Sequence, residues 1–181
     1  MNYTGERAIP WEKKTGPGVM IPHIMRYAWA SMYAWDKSIV DLCCGSGYGS
    51  YLLSWVANHV TGIDISMPAI EYAQNKFSAG NLAYHMGDVT DPSQHVPADL
   101  YIAFECLEHL DDPSALIERI NKPLIWSMPI ELPSKFHKRK YSIDEICQLM
   151  NGSDFWYQST EGIIESKPVD FVPAYVLGIR P

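Results

Sequence analysis

The sequence predicts an α/β protein built on a doubly wound, mostly parallel sheet whose last strand is antiparallel. Three observations predict it. Strand-like and helical segments alternate from residue 38 to residue 150. The first and fourth strand segments are apolar runs, as strands covered by helices on both faces must be. Each cluster of glycine, acidic or histidine residues falls at the carboxyl end of a strand, where such sheets bind their ligands.

In chain order, residues 1–20 are rich in Gly, Pro and charge and read as an irregular arm. Residues 22–34 (PHIMRYAWASMYA) read as a helix, with Pro22 suited to its first turn. Residues 38–44 form the first strand, 48–57 a helix, and 59–65 the second strand. Ser66 is placed to cap the helix of residues 67–77. Residues 82–88 and 98–105 are the third and fourth strands. A short helix at 113–121 precedes the fifth strand, 124–130. Ser142 and Glu145 have the spacing of a capping box, opening a helix that runs to about Met150. Residues 155–160 and 172–179 are the last two strands, and with no helix between them they pair antiparallel. The whole chain of 181 residues reads as one domain: arm and helix over 1–35, core over 36–181.

Composition narrows the function. No apolar run approaches the length of a membrane span, and Glu6, Pro10 and Glu12–Lys14 interrupt any signal-peptide core, which points to the cytoplasm. The net charge of −7 disfavours general binding of duplex nucleic acid. Cys43, Cys44, Cys106 and Cys147 show neither a CxxC pair nor zinc spacing, so all four read as small buried hydrophobes in a reducing compartment. The tryptophans and tyrosines are mostly core, with Tyr3, Trp11, Trp126 and Tyr157 as candidates to line a pocket for a flat substrate.

Between the first strand and its helix runs Asp41-Leu42-Cys43-Cys44-Gly45-Ser46-Gly47-Tyr48-Gly49. Glycine permits a tight turn and close approach of backbone to a ligand, although a Gly-rich turn alone is often no more than a turn. Asp64 ends the second strand, where a carboxylate can accept from both hydroxyls of a ribose. Asp88 ends the third, where it can accept from an adenine amino group while the Val89 N–H serves a ring nitrogen.

DLCCGSGYGS, GIDIS, GDV and FECLEHL resemble, in order and spacing, the motifs of class I S-adenosylmethionine (SAM)-dependent methyltransferases over roughly residues 38 to 130. The resemblance implies a Rossmann-like sheet of seven strands in the order 3-2-1-4-5-7-6. It implies a SAM site made by Asp41, Gly45, Ser46, Gly47, Gly49, Asp64, Ile65, Asp88, Val89 and Glu105. Thr4-Gly5-Glu6-Arg7 with Pro10, and His23-x-x-Arg26-Tyr27, resemble the N-terminal arm of a bacterial and phage subgroup in which the arm folds over the cofactor. Arg7, His23 and Arg26 then either pair with an anion of cofactor or substrate or make surface salt bridges.

The fourth strand ends in Phe104-Glu105-Cys106-Leu107-Glu108-His109. In a helical turn Glu105, Glu108 and His109 share one face, a donor set for a hard or borderline divalent ion, with His137 a further ligand. Glu-x-x-Glu-His followed by a distant His resembles the metal-dependent methyltransferases of RNA-terminal ribose 2′-hydroxyls and the catechol O-methyltransferases of ubiquinone synthesis. The resemblance implies Mg²⁺ or Mn²⁺ held by Glu105, Glu108, His109 and His137. Without metal, His109 is the candidate general base, with Glu105 and Glu108 beside it. Lys135, Lys138, Arg139 and Lys140 surround His137 and hint at a phosphate-bearing acceptor, the alternative being a solvated loop.

The reading is therefore a SAM-dependent O-methyltransferase of a small molecule, sugar or nucleotide, with an RNA end as the alternative acceptor and a monomer or homodimer as its state. A nicotinamide oxidoreductase would want GxGxxG where Gly45, Gly47 and Gly49 give GxGxG. An inactive scaffold has no use for the intact turn and acidic cluster.

Overall fold

The computed structural model describes residues 8–10, 15–94, 96–167 and 170–181. One sheet organises them. Strands β1 (Ser38–Leu42), β2 (His59–Asp64), β3 (Leu82–Met86), β4 (Leu100–Phe104) and β5 (Leu124–Pro129) run parallel. β8 (Tyr175–Arg180) lies antiparallel between β5 and β6 (Asp154–Gln158). The order is β3-β2-β1-β4-β5-β8-β6-β7. This is the expected order with one short strand added at the edge, β7 (Ile164–Glu165), which pairs with β6 through two residues. So short a strand has no periodicity to read in a sequence.

Successive side chains of a strand point to opposite faces, so Ile39 and Val40 enter different cores. Ile39 joins a layer with Tyr27, Leu53 and Ile70 from α1 (Pro17–Ser31), α2 (Tyr48–Leu53) and α3 (Met67–Lys76), and with Phe77 just beyond α3. Val40 joins a layer with Leu116, Trp126 and Ile146, under α4 (Pro113–Arg119) and α5 (Ile143–Leu149). With helices over both faces, β4 and β5 are buried along their whole length.

Helix ends depart from the sequence expectation where several residues compete to start or stop them. α1 begins at Pro17, a residue whose missing N–H costs nothing in a first turn, and Pro22 stands inside the helix. Ser66 makes no side-chain cap; its own amide donates to Asp64 instead. The α5 capping box forms as read: Ser142 Oγ accepts from the Glu145 amide and Glu145 accepts from the Ser142 amide. No described helix is long and apolar enough to cross a membrane.

Candidate active site

At the carboxyl end of β1 the chain turns through left-handed backbone at Cys43, Gly45 and Gly47, with φ of 57°, 57° and 84°. Asp64 fastens this turn from β2. Its Oδ2 accepts from the Gly45 amide and its Oδ1 from the Ser66 amide, both at 2.9 Å. Gly47 and Gly49 serve packing: a methyl on Gly47 would overlap Ala73, and one on Gly49 would overlap the Tyr27 ring.

A cleft of about 210 Å³ opens over the turn. Gly45, Ser46, Asp64, Ile65, Asp88, Val89, Glu105 and His109 line it, joining the ends of β1, β2, β3 and β4. Asp41, Gly47 and Gly49, read from the sequence with the SAM-binding set, stand behind the wall instead. Asp41 is wholly buried and accepts from Ser50 Oγ at 2.6 Å and from Tyr27 Oη at 3.3 Å. Burial pushes its carboxyl up to about 7, outweighing the two hydroxyl donors.

The exit from β3 is tied down locally. Asp88 Oδ1 accepts from the Thr90 amide at 2.8 Å and from its hydroxyl at 2.7 Å. Arg119 of α4 donates to the carbonyls of Val89 and Thr90. The arm reaches the cleft too: Ala8 lines it, and its carbonyl accepts from Ser46 Oγ at 2.7 Å. His23 also lines the cleft, its imidazole held well below the usual range first by burial and then by Arg26. Tyr3, Arg7 and Trp11 lie outside the described residues. Trp126 is core and Tyr157 packs against the same core cluster, neither on the cleft. Tyr27, Tyr48, Phe104 and Leu110 add apolar and aromatic lining. Sequence reasoning missed them because apolar and aromatic residues next to motifs look like core.

At the end of β4 the expected convergence of three side chains is only partly met. Glu105 has φ 50°, and the following helical turn covers only Leu107–His109. The left-handed residue breaks the helical phase, so Glu105 does not share a face with Glu108 and His109. Its Oε1 instead accepts from Ser127 Oγ at 3.1 Å, and Arg26 Nη2 stands 3.9 Å away. Glu108, His109 and His137 do come together, with one ligand atom of each within 4.8 Å of the others. The imidazoles meet edge to face, 5.0 Å between centroids. His109 Nδ1 lies 3.1 Å from the Phe136 carbonyl and His137 Nδ1 3.2 Å from that of Leu132. A carbonyl partner assigns the proton of a neutral ring to Nδ1, which leaves the lone pair on Nε2.

Glu108 is buried, and neither of its carboxylate oxygens meets a hydrogen-bond donor among the described residues. Its pKa is raised well above the usual range, by burial first and the neighbouring Glu105 second. A buried carboxylate with two open oxygens beside two imidazoles fits a divalent cation, whose charge would replace the missing donors.

The basic loop is less available than its composition suggested. Lys138 pairs with Asp111, Arg139 pairs with Glu145 and lies over the Tyr141 ring, and Lys135 lies over Phe136. The cysteines also differ from expectation: Cys43 and Cys106 are joined as a disulfide, Cα atoms 5.6 Å apart, while Cys44 and Cys147 are free. Sixty-three residues separate the pair in sequence, and only the adjacency of β1 and β4 brings them together.

Residues 39–124 match the family model of a methyltransferase domain. A probable S-adenosylmethionine-dependent methyltransferase of Mycolicibacterium smegmatis is 22% identical over 183 residues, covering 88% of this chain and 67% of that protein. The chain spans 61% to 67% of the length of the first curated relatives it matches. A ubiquinone biosynthesis O-methyltransferase of Aromatoleum aromaticum is 33% identical over 85 residues, 45% of this chain and 36% of that one. Among solved structures, the magnesium protoporphyrin IX methyltransferase of Synechocystis PCC 6803 with bound SAH superposes with a TM-score of 0.64 at 18% identity, covering 91% and 83% of the two chains. The α/β Rossmann-like sheet with its antiparallel strand thus matches the fold of methyltransferases, and residues 39–124 match a methyltransferase domain.

Proposed function

We propose that this chain transfers a methyl group from SAM to a hydroxyl oxygen, assisted by a divalent cation held by Glu108, His109 and His137. The observation that carries the reading is the buried, donor-less Glu108 carboxylate placed with two imidazoles beside a cleft that His109 also lines.

Asp64 and Asp88 hold the adenosyl end, the Gly45–Ser46 backbone takes the amino-acid end, and Ile65, Val89 and Leu110 supply apolar contacts. Glu105, on the β4 side of the cleft, faces the methionine end. Methyl transfer is an in-line displacement in which an oxygen–carbon bond forms as the sulfur–carbon bond breaks, so alignment supplies much of the rate. The hydroxyl must also lose its proton. Mg²⁺ or Mn²⁺ held by Glu108, His109 and His137 would favour that loss by lowering the pKa of the hydroxyl. In a metal-free enzyme, Nε2 of His109 takes the proton directly. The acceptor proposed is a small molecule, sugar or nucleotide. The paired state of Lys138 and Arg139 lends less support to an RNA end.

The test is methyl transfer from labelled SAM to a panel of catechols, sugars and nucleosides, with Mn²⁺ and with chelator. Transfer to oxygen that chelator suppresses supports the proposal. Full transfer in chelator overturns the metal, and methylated nitrogen as the product overturns the hydroxyl acceptor.

A further inference from the structure

Arg26 is fully buried on α1, a costly place for a cation that nothing in the methyl-transfer scheme so far employs. Its surroundings fix it from three directions. Nη1 donates to Gln158 Oε1 at 2.7 Å, and Gln158 in turn donates to the Pro22 carbonyl at 3.0 Å. The guanidinium carbon sits 4.5 Å from the centroid of the Tyr175 ring. Nη2 points toward Glu105 at 3.9 Å, and neither Nη2 nor Nε makes a hydrogen bond among the described residues.

Glu105 is the residue this cation faces, and its backbone is the strained one. A glutamate at φ 50° lies in a region that favours glycine, and such residues persist only when their surroundings over-determine them. Here the surroundings are the Glu105 amide donating to the Ser127 carbonyl at 3.2 Å, the Ser127 hydroxyl on Oε1, and the Arg26 charge behind it. Only 16% of the Glu105 side chain is exposed, and it lines the cleft.

We infer that Arg26 is a positioning residue, a buried counter-charge that keeps the Glu105 carboxylate turned into the cleft against the strain of its own backbone. Arginine is required by the geometry. One planar fork reaches Gln158 with one nitrogen and Glu105 with another while its face stacks on Tyr175, which an ammonium cannot do. Arg26 touches no reacting atom; it acts through Glu105. The inference rests on the cleft being the SAM site.

The test is a double-mutant cycle read by calorimetric titration with S-adenosylhomocysteine (SAH), using Arg26→Gln, Glu105→Gln and the combination in the full chain. Arg26→Gln is expected to weaken SAH about tenfold, and to cost little once Glu105→Gln is present, because its effect passes through that carboxylate. A merely structural arginine gives the same loss in both backgrounds, and that result overturns the inference. Arg26→Lys keeps the charge without the fork and is expected to fall between wild type and Arg26→Gln. If Arg26→Gln does not fold, the cycle is read with Arg26→Lys, where additive losses overturn the inference equally. Wild-type protein that takes up no SAH refutes the SAM reading itself, an outcome separate from an uncoupled cycle.

Discussion

The amide of Gly45 donates to the Asp64 carboxylate at 2.9 Å, so one side chain at the end of β2 both closes the glycine turn at the end of β1 and faces the cleft. Asp64→Asn replaces one of the two accepting oxygens by an amide that cannot accept. Losing an acceptor for a partly buried amide costs about 1 kcal/mol. SAH affinity is expected to fall at least tenfold by calorimetry, with NADH giving no heat in either protein. Wild-type affinity in the variant would remove Asp64 from the site.

Gly49 faces the Tyr27 ring so closely that a β-carbon has no place, whereas a β-carbon on Gly18 meets nothing within 4 Å. Gly49→Ala should destabilise the protein by about 1–3 kcal/mol through overpacking. Gly18→Ala, within α1, should be neutral or stabilising by up to about 1 kcal/mol from helix propensity. Urea midpoints of the two variants check the contrast.

Asp41 holds its proton to about pH 7 in the folded state, above its ordinary 3.8. Between those values the folded protein keeps a proton that the unfolded chain has released. Stability from this group is therefore fully present below about pH 4 and is lost as the pH rises to about 7. Asp41→Asn removes that slope. Unfolding free energies from urea titrations at pH 4 to 8 should move in the variant's favour with rising pH, by an amount on the order of a few kcal/mol. Parallel curves would contradict the burial argument.

The cluster of Glu108, His109 and His137 predicts stabilisation by Mn²⁺. At a hundredfold excess over the dissociation constant, a ligand of the folded state adds about 2.7 kcal/mol. Thermal unfolding should shift upward in wild type, and the shift should vanish in Glu108→Gln and shrink in His137→Ala. An undiminished shift in Glu108→Gln would place the ion elsewhere.

Ser142 accepts from the Glu145 amide and Glu145 returns to the Ser142 amide, the reciprocal cap read from the sequence. Ser142→Ala should cost about 1 kcal/mol, measured by urea unfolding.

Much of this was legible in advance because it depends on neighbours in sequence. The alternation of strands and helices, the capping box at Ser142, and the placing of Gly45, Asp64, Asp88 and Glu105 at strand ends follow from periodicity and local turn chemistry. Asp41 adjoins the glycine turn, which in sequence groups it with the cofactor residues. The direction in which a β1 side chain points is set by the pleat, and at Asp41 it points to Tyr27 and Ser50.

The sequence by itself determined which residue types stand at the carboxyl ends of the strands, and hence the chemistry available there. Tertiary structure alone decided which of them meet. The left-handed backbone at Glu105 separates it from Glu108 and His109, a folded loop brings His137 to them, and the adjacency of β1 and β4 joins Cys43 to Cys106. It also decided that Arg26 enters the interior and reaches Gln158, 132 residues away in sequence. The physical reason is the same each time: spacing along a chain fixes angles only while the backbone stays regular, and long-range contacts are set by the packing of whole elements.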